Sequence, residues 1–430
     1  MSTPDAPHLP VFVLAESAES GERLRAELGR VSGWSAPTGV DLPGRLARLF
    51  WGHESGQGEA GVSALVDHEH LMHALRRLAD TLVAGALRPG SSVFVDVVSD
   101  AELLGPYVRL VWPDAVVVAV SRGVPSNRVA SASPDLVVTD RDVSNDPRSV
   151  AGRVATVAAQ RIVVPSRWAR FAPPRLRGRR TRVSDSALRG RLVVVLGAAR
   201  SGTTWIHRLL CANPMIAGTE TGETWLFPDI APVWADQIRA LAGDGVTLSA
   251  MRRFCDELLV AMRDRVAPSA THVCEKTPTT AWQLPVLARL YPDAYYVHIV
   301  RDGRDAALSL SLTRGEEADL GDAAREWVEA VSAIRAASRS LRRFRQVRYE
   351  DLLADPAAVA TGLWSWIGVP SSEQAMTALR ERASQRVTPL PAHGEIGSGK
   401  WRSLPAADQR VLEDLAGPLL RELGYGGAGT

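Results

Sequence analysis

Three cysteines in 430 residues, Cys211, Cys255 and Cys274, are too few for a disulfide framework. None forms a Cys-x-x-Cys pair and no histidine is read as their partner at metal-ligand spacing, so they are taken as reduced core residues and no metal site is expected. Net charge is nearly absent as well. Fifty basic and 48 acidic residues leave a formal +2, which excludes the broad positive field that attracts nucleic acid, so any anion site has to be local. Long apolar runs are missing: stretches such as 115–120 and 192–199 fall far short of the roughly 20 residues of a membrane-crossing helix, and no membrane partner is expected. The opening MSTPDAPHLPVF has no basic region leading into an apolar stretch, so no secretion signal is read and a cytoplasmic location is expected.

What is present is a chain of ordinary globular composition, long enough for two cores. Short β-branched runs (Val11–Leu14, Val93–Val98, Val116–Val120, Val193–Leu196, Tyr295–Val300) alternate with helical patterns, which predicts an α/β fold with parallel sheets and crossover helices. The polar, basic stretch 173–191 reads as a linker between a domain at 1–172 and one at 192–430. The two halves echo one another. WPDAVVVAVSR at 112–122 parallels YPDAYYVHIVR at 291–301, and VFVLAESAESGERLRAEL at 11–28 parallels VVVLGAARSGTTWIHRLL at 193–210. Gly21 to Arg122 spans 101 positions and Gly202 to Arg301 spans 99, as a duplicated unit requires.

The strand at 192–196 runs into Gly197-Ala-Ala-Arg-Ser-Gly-Thr-Thr-Trp205 and then into helical spacing. Backbone N–H groups of Ser201 to Thr204 at a helix N-terminus form an anion cradle, with Gly202 allowing close approach and two threonine hydroxyls adding donors. A nucleotide-hydrolysing loop would place lysine after the second glycine. Thr203 stands there instead, and the basic residue is Arg200, so Mg²⁺-dependent triphosphate chemistry loses its main support. Arg301 follows a second apolar strand, with Ser309 eight residues on; a guanidinium fork and a helix hydroxyl suit a phosphate.

Taken together, GAARSGTTW at 197–205, CEKTP at 274–278 and HIVRDGRDAALS at 298–309 resemble the sulfotransferase superfamily, whose donor is 3′-phosphoadenosine 5′-phosphosulfate (PAPS). VRYEDLL at 347–353, GKWR at 399–402 and LGY at 423–425 extend the resemblance over roughly 192–425. It implies that Arg200, Ser201, Gly202, Thr203 and Thr204 hold the 5′-phosphosulfate and that Arg301 and Ser309 hold the 3′-phosphate. It further implies that Tyr349 contacts the nucleotide and that Lys400 and Trp401 belong to a closing segment over it. In-line transfer would release 3′-phosphoadenosine 5′-phosphate (PAP), with Arg200 stabilising charge on the bridging oxygen, as in arginine-type members, and Lys276 neutralising the sulfuryl oxygens.

The same resemblance implies an acceptor base shortly after the first helix, for which Glu220 and Glu223 are the candidates, on one face if their segment is helical, with Glu223 favoured because it leads into Trp225; a solvated surface pair is the alternative. His272 and His298 fall where core strand residues are expected. The acceptor is expected to be a hydroxyl of a small molecule or glycoconjugate, and a homodimer is compatible with the reading. The alternatives are another phosphate-loop transferase, such as a small-molecule kinase, and a non-catalytic nucleotide-binding protein. The N-terminal half is expected to be a sulfotransferase-like unit without a donor site. Glu19 to Arg23 replace Arg200 to Thr204, Val97 stands at Lys276, and Ala130 stands at Ser309.

Overall fold

The computed structural model describes residues 8–51, 66–87, 90–98, 100–123, 125–162, 186–220, 222–234, 239, 242–315, 319–384 and 398–425; linker residues 173–185 lie outside them. Among these, one compact unit takes in the residues up to 162 together with Asp229–Leu258, and the other takes in Ser186–Pro228 and the residues from Leu259 onward. The single boundary expected at 173–191 therefore differs from the packing in one segment. Asp229–Leu258 follows the linker in sequence but clusters with the first unit. The reason lies at Gly85 in the helix His68–Ala86, where a Cβ would come within 2.9 Å of Val246 and 3.0 Å of Ala242, so the missing side chain admits close contact.

Strands β1 (Leu9–Ala15), β2 (Trp34–Ser35), β3 (Val93–Val98), β4 (Val116–Ser121) and β5 (Leu136–Thr139) form the first sheet, in the order β2-β3-β1-β4-β5. Strands β6 (Leu192–Leu196), β7 (Ile216–Ala217), β8 (His272–Glu275), β9 (Tyr295–Val300) and β10 (Phe344–Arg348) form the second, in the order β10-β9-β6-β8-β7. Read from the other edge, this second order is the first one strand for strand. Every pairing is parallel, as the alternation of strands and helices predicts. The central strands are near-continuous apolar runs because helices cover both faces: every residue of β4 and of β6 is buried.

Registers carry the correspondence to single residues. Val11 pairs with Val95 and Val116, while Val193 pairs with Cys274 and Tyr295. Two residues beyond Val95 and Cys274 stand Val97 and Lys276, the match expected from the sequence. A further matched stretch was not read from the sequence: TDRDVSNDPRSV at 139–150 and RYEDLLADPAAV at 348–359. In each a short helix ends at an aspartate that caps the next helix, Asp146 (φ −146°, ψ 76°) and Asp355 (φ −148°, ψ 84°). The Asp146 carboxylate accepts from the Ser149 N–H at 3.0 Å, and that of Asp355 from the Ala358 N–H at 2.8 Å.

In the second unit, Val193, Val195, Ile206, Leu209, Cys274, Val297, Leu363 and Trp364 make the core on one face of the sheet. Val300, Trp327, Val331, Leu420 and Tyr425 close the other. Both units bury a carboxyl at the same place. Asp96 in β3 accepts from the N–H groups of Asp41, Leu42 and Val97 at 3.1, 2.7 and 3.0 Å. Glu275 in β8 accepts from the hydroxyls of Thr224 and Thr277 at 3.1 and 2.6 Å. Each fastens the segment that follows the second strand of its unit. Burial pushes both carboxyls up to about 7.

Between the ordinary carboxylate range and pH 7, then, the folded chain keeps protons that the unfolded chain has released. The associated stability is present at low pH and is lost as pH rises through about 7. The thermal midpoint should fall as pH is raised from about 5 to about 8, and Asp96→Asn and Glu275→Gln should each flatten that decline. An unchanged slope in both variants would show that neither carboxyl is held protonated. Asp146→Ala and Asp355→Ala should each cost about 1 kcal/mol in urea unfolding, as the loss of a helix N-cap does.

Candidate functional site

The turn after β6 is built around Gly202, at φ +93°, which opens the helix Thr203–Leu210 with no side chain capping it. A Cβ on Gly202 would lie 2.6 Å from the Tyr349 ring, so conformation and space both demand glycine. The first N–H groups of the helix are thus left for a ligand. Arg200 is left-handed too, at φ +66°, a conformation that costs a residue with a side chain of order 1 kcal/mol and recurs at functional sites. Its guanidinium Nε donates to Ser309 Oγ at 3.2 Å, and its carbonyl accepts from Arg301 Nη1 at 3.0 Å. The Arg301 guanidinium lies 4.6 Å from the centre of the Tyr349 ring, whose other neighbour is Trp205, edge-on at 6.1 Å.

Residues separated by a hundred positions thus meet at one helix end: Arg200, Arg301, Ser309 and Tyr349. Burial, and secondly the nearby Arg301, lower the pKa of Arg200, so a bound anion would relieve a strained pair of like charges. Ser201 is fully buried and its hydroxyl has no partner among the described residues; Thr203 is buried beside it.

Lys276, at the end of β8, is 1% exposed, and its ammonium meets Glu223 Oε1 at 2.5 Å. Burial lowers the lysine pKa, and Glu223 opposes that shift. The segment carrying the glutamates is not helical. Gly222 at φ +78° and Trp225 at φ +56° turn it, the Gly222 carbonyl accepts from the Lys276 N–H at 2.9 Å, and the Thr277 hydroxyl accepts from the N–H groups of Thr224 and Trp225 at 3.2 Å each. The shared helical face expected of Glu220 and Glu223 therefore does not form, because these backbone groups bond to β8 and its extension instead. Glu223 sits on Lys276, while Glu220 is exposed and contacts Arg208 through its carbonyl at 3.4 Å.

Lys400 and Trp401 begin a short 3-10 turn held by Asp305, whose carboxylate accepts from the N–H groups of Gly399 at 2.5 Å and Trp401 at 3.1 Å. Asp305 stands one helical turn before Ser309, so the turn is fastened to the helix that carries the phosphate-type serine. The Arg304 guanidinium stacks 3.8 Å from the centre of the Trp401 ring. Glu350 accepts from the Asp302 N–H at 3.0 Å and from the Tyr425 hydroxyl at 2.7 Å. Sequence reading missed Asp305 and Glu350, although both lie inside the motifs it used. His298 is fully buried beside Phe344 and desolvation takes it down to about 4, and His272, beside Tyr295, is lowered for the same reason.

The corresponding corner of the first unit is differently made. A Cβ on Gly21 would meet Ala15 at 2.9 Å and Val97 at 3.0 Å, so apolar groups fill the gap between turn and strand. Glu16 accepts the Arg122 N–H at 3.0 Å, and the Arg122 side chain is 77% exposed, against a buried Arg301. One further juxtaposition was not read from the sequence. His207, Cys211 and Cys274 place their ligand-type atoms within 4.8 Å of one another. The signal was legible, since His207 and Cys211 are four apart on one helix face, but no spacing could reveal that Cys274 on β8 meets them.

Residues 193–373 match the model of the sulfotransferase family. Protein-tyrosine sulfotransferase 1 of Danio rerio is 26% identical over 268 residues, covering 54% of this chain and 72% of its own. Protein-tyrosine sulfotransferase A of Caenorhabditis elegans is 24% identical over 262 residues, covering 54% and 67%. Among solved structures, a sulfotransferase from Mycobacterium avium aligns over 80% of this chain and 95% of its own at 16% identity, with a TM-score of 0.39, too loose to place any residue. Arg200, Lys276, Arg301, Ser309 and Tyr349 fall within the matched segment, and Trp401 and Tyr425 beyond it. Within its second unit, then, this chain carries a segment that matches the sulfotransferase family and resembles the protein-tyrosine sulfotransferases over about half of its length.

Proposed function

We propose that the second unit transfers a sulfuryl group from PAPS to an acceptor hydroxyl, and that the first unit is a duplicated copy without a donor site. The observation that carries this is the meeting of Arg200, Arg301, Ser309 and Tyr349 at the uncapped end of the helix Thr203–Leu210, with Lys276 and Glu223 paired at the end of β8. A donor with two phosphate groups needs two anion subsites. The Gly202 turn supplies one, and Arg301 with Ser309 supplies the other. Lysine at the triphosphate-loop position is absent, which separates this site from a kinase.

Transfer forms one bond and breaks one. The acceptor oxygen attacks sulfur, its proton passes to Glu223, and the bond from sulfur to the bridging oxygen of the 5′-phosphate breaks, leaving PAP. Arg200 is positioned to stabilise charge on the departing oxygen, and Lys276 to balance the sulfuryl oxygens. Glu223 suits the base because its carboxylate is 27% exposed and so remains open to an acceptor while hydrogen-bonded to Lys276. A hydroxyl of a small molecule or glycoconjugate is one acceptor class. The names of the relatives favour a second, the phenolic hydroxyl of a peptide tyrosine. Assaying labelled PAPS against tyrosine-containing peptides, phenols and glycans in parallel separates the two.

Arg200→Ala should lower kcat at least about 100-fold, the scale on which removing one charge-stabilising donor acts, with little change in PAP affinity by calorimetry. Arg301→Ala should instead weaken PAP binding about 10- to 100-fold, as the loss of charge-assisted hydrogen bonds does. The reverse pattern would exchange the two roles. Calorimetry should also find one nucleotide per chain, and a second would overturn the loss of the donor site from the first unit.

Glu223→Gln should lower kcat about 100-fold or more, while Glu220→Gln stays near wild type. Equal, small effects in both would place the base elsewhere.

A further inference from the structure

We propose that His207, Cys211 and Cys274 form a structural site for one thiophilic divalent cation, of which Zn²⁺ is the natural occupant. All three side chains stand behind the anion-binding turn. His207 and Cys211 project from the helix Thr203–Leu210 and its C-cap, and Cys274 projects from β8 two residues before Lys276. His207 and Cys274 are buried and Cys211 is nearly so, which gives one imidazole and two sulfurs in a water-poor setting, the donor set of zinc rather than of magnesium or calcium.

Distances support this reading. His207 Nε2 and Cys211 Sγ are 3.6 Å apart. A tetrahedral ion with bonds of about 2.0 Å to nitrogen and 2.3 Å to sulfur needs those two atoms about 3.5 Å apart. Cys274 Sγ lies within 4.8 Å of both and has only to draw in slightly.

Gly218 lets the backbone pass close to the cluster: a Cβ there would lie 2.5 Å from His207 Nε2 and 2.7 Å from Cys211 Sγ, so a side chain at this position would displace both donors. A second glycine, Gly222, lies against the same imidazole, where a Cβ would come within 2.8 Å of the ring. Behind the imidazole, His207 Nδ1 is buried without a hydrogen-bond partner among the described residues, and so is Glu275 Oε2 on the strand that carries Cys274. A metal-bound imidazole turns its other ring nitrogen toward such a carboxylate, directly or through one water.

The consequence would be mechanical. An ion there would tie the helix behind the anion turn to the strand that ends in Lys276, fixing the separation of the two halves of the proposed donor site. No reaction step passes through it.

The test uses the full chain, reduced and freed of metal by a chelator. Zn²⁺ titrated against a chromophoric competitor should bind at one per chain, and Co²⁺ in its place should give the intense near-ultraviolet charge-transfer absorption of cobalt–thiolate bonds. Cys211→Ser, at a partly exposed position, should weaken Zn²⁺ at least 100-fold and reduce the cobalt band, while Cys255→Ser, a buried cysteine outside the cluster, should leave both unchanged. Far-ultraviolet circular dichroism establishes that the variants are folded, and the cobalt spectrum of the unaltered chain needs no variant. Absence of stoichiometric Zn²⁺ binding, equal binding by Cys211→Ser, or a Cys211–Cys274 disulfide formed in preference to the metal complex would each overturn the proposal. None of these readouts depends on sulfuryl transfer, so failure here is distinguishable from failure of the proposed activity.

Discussion

Holding several cations close together at the strand ends is the constraint on which the second unit depends. Arg200 and Arg301 are brought within one hydrogen bond of each other, through the backbone carbonyl of the first, and Lys276 is buried nearby in sequence order on the neighbouring strand. Such charges repel and lose hydration, and the structure offsets this with aromatic faces, carbonyls and a single glutamate. Tyr349 stacks on Arg301 and abuts Gly202, so one ring sets both the position of a guanidinium and the need for glycine in the turn. Asp305 and Glu350 stand outside this group of cations and fasten the segments around it.

The two units apply the same scaffold to different ends. Strand order, register, the capping aspartates Asp146 and Asp355, and the buried carboxyls Asp96 and Glu275 recur, and all of these serve packing and chain direction. Departures concentrate at the ends of the central strands, where parallel sheets bind ligands. There Lys276 becomes Val97 and the buried Arg301 becomes the exposed Arg122. A parallel sheet tolerates this because its stability comes from the strands and covering helices, whereas chemistry occupies a few positions at the strand ends.

Much of this was legible in the residues. Parallel α/β architecture follows from β-branched runs alternating with helical periods, and the anion turn follows from a strand, a glycine and two threonines before a helix. The repeat at 139–150 and 348–359 was also present in the sequence, but its shared aspartate-proline step becomes specific only once both aspartates are seen to end one helix and cap the next. Glu220 and Glu223 show the opposite failure. Spacing of three would share a face only if the segment were helical, and hydrogen bonds between that segment and Lys276 and Thr277 hold it in a turned path instead.

By itself, then, the sequence determined the local events: which stretches are strands, where a helix must begin, and which positions demand glycine or arginine, because these depend on backbone sterics and on neighbours a few residues away. Tertiary structure alone decided which distant groups meet. Ser309 receives Arg200, Glu223 receives Lys276, Asp305 receives the turn at Trp401, and Cys274 joins His207 and Cys211. Each of these contacts is made across elements whose separation in the chain carries no information about distance. Only the strand order of the sheet and the packing of helices upon it convert one into the other.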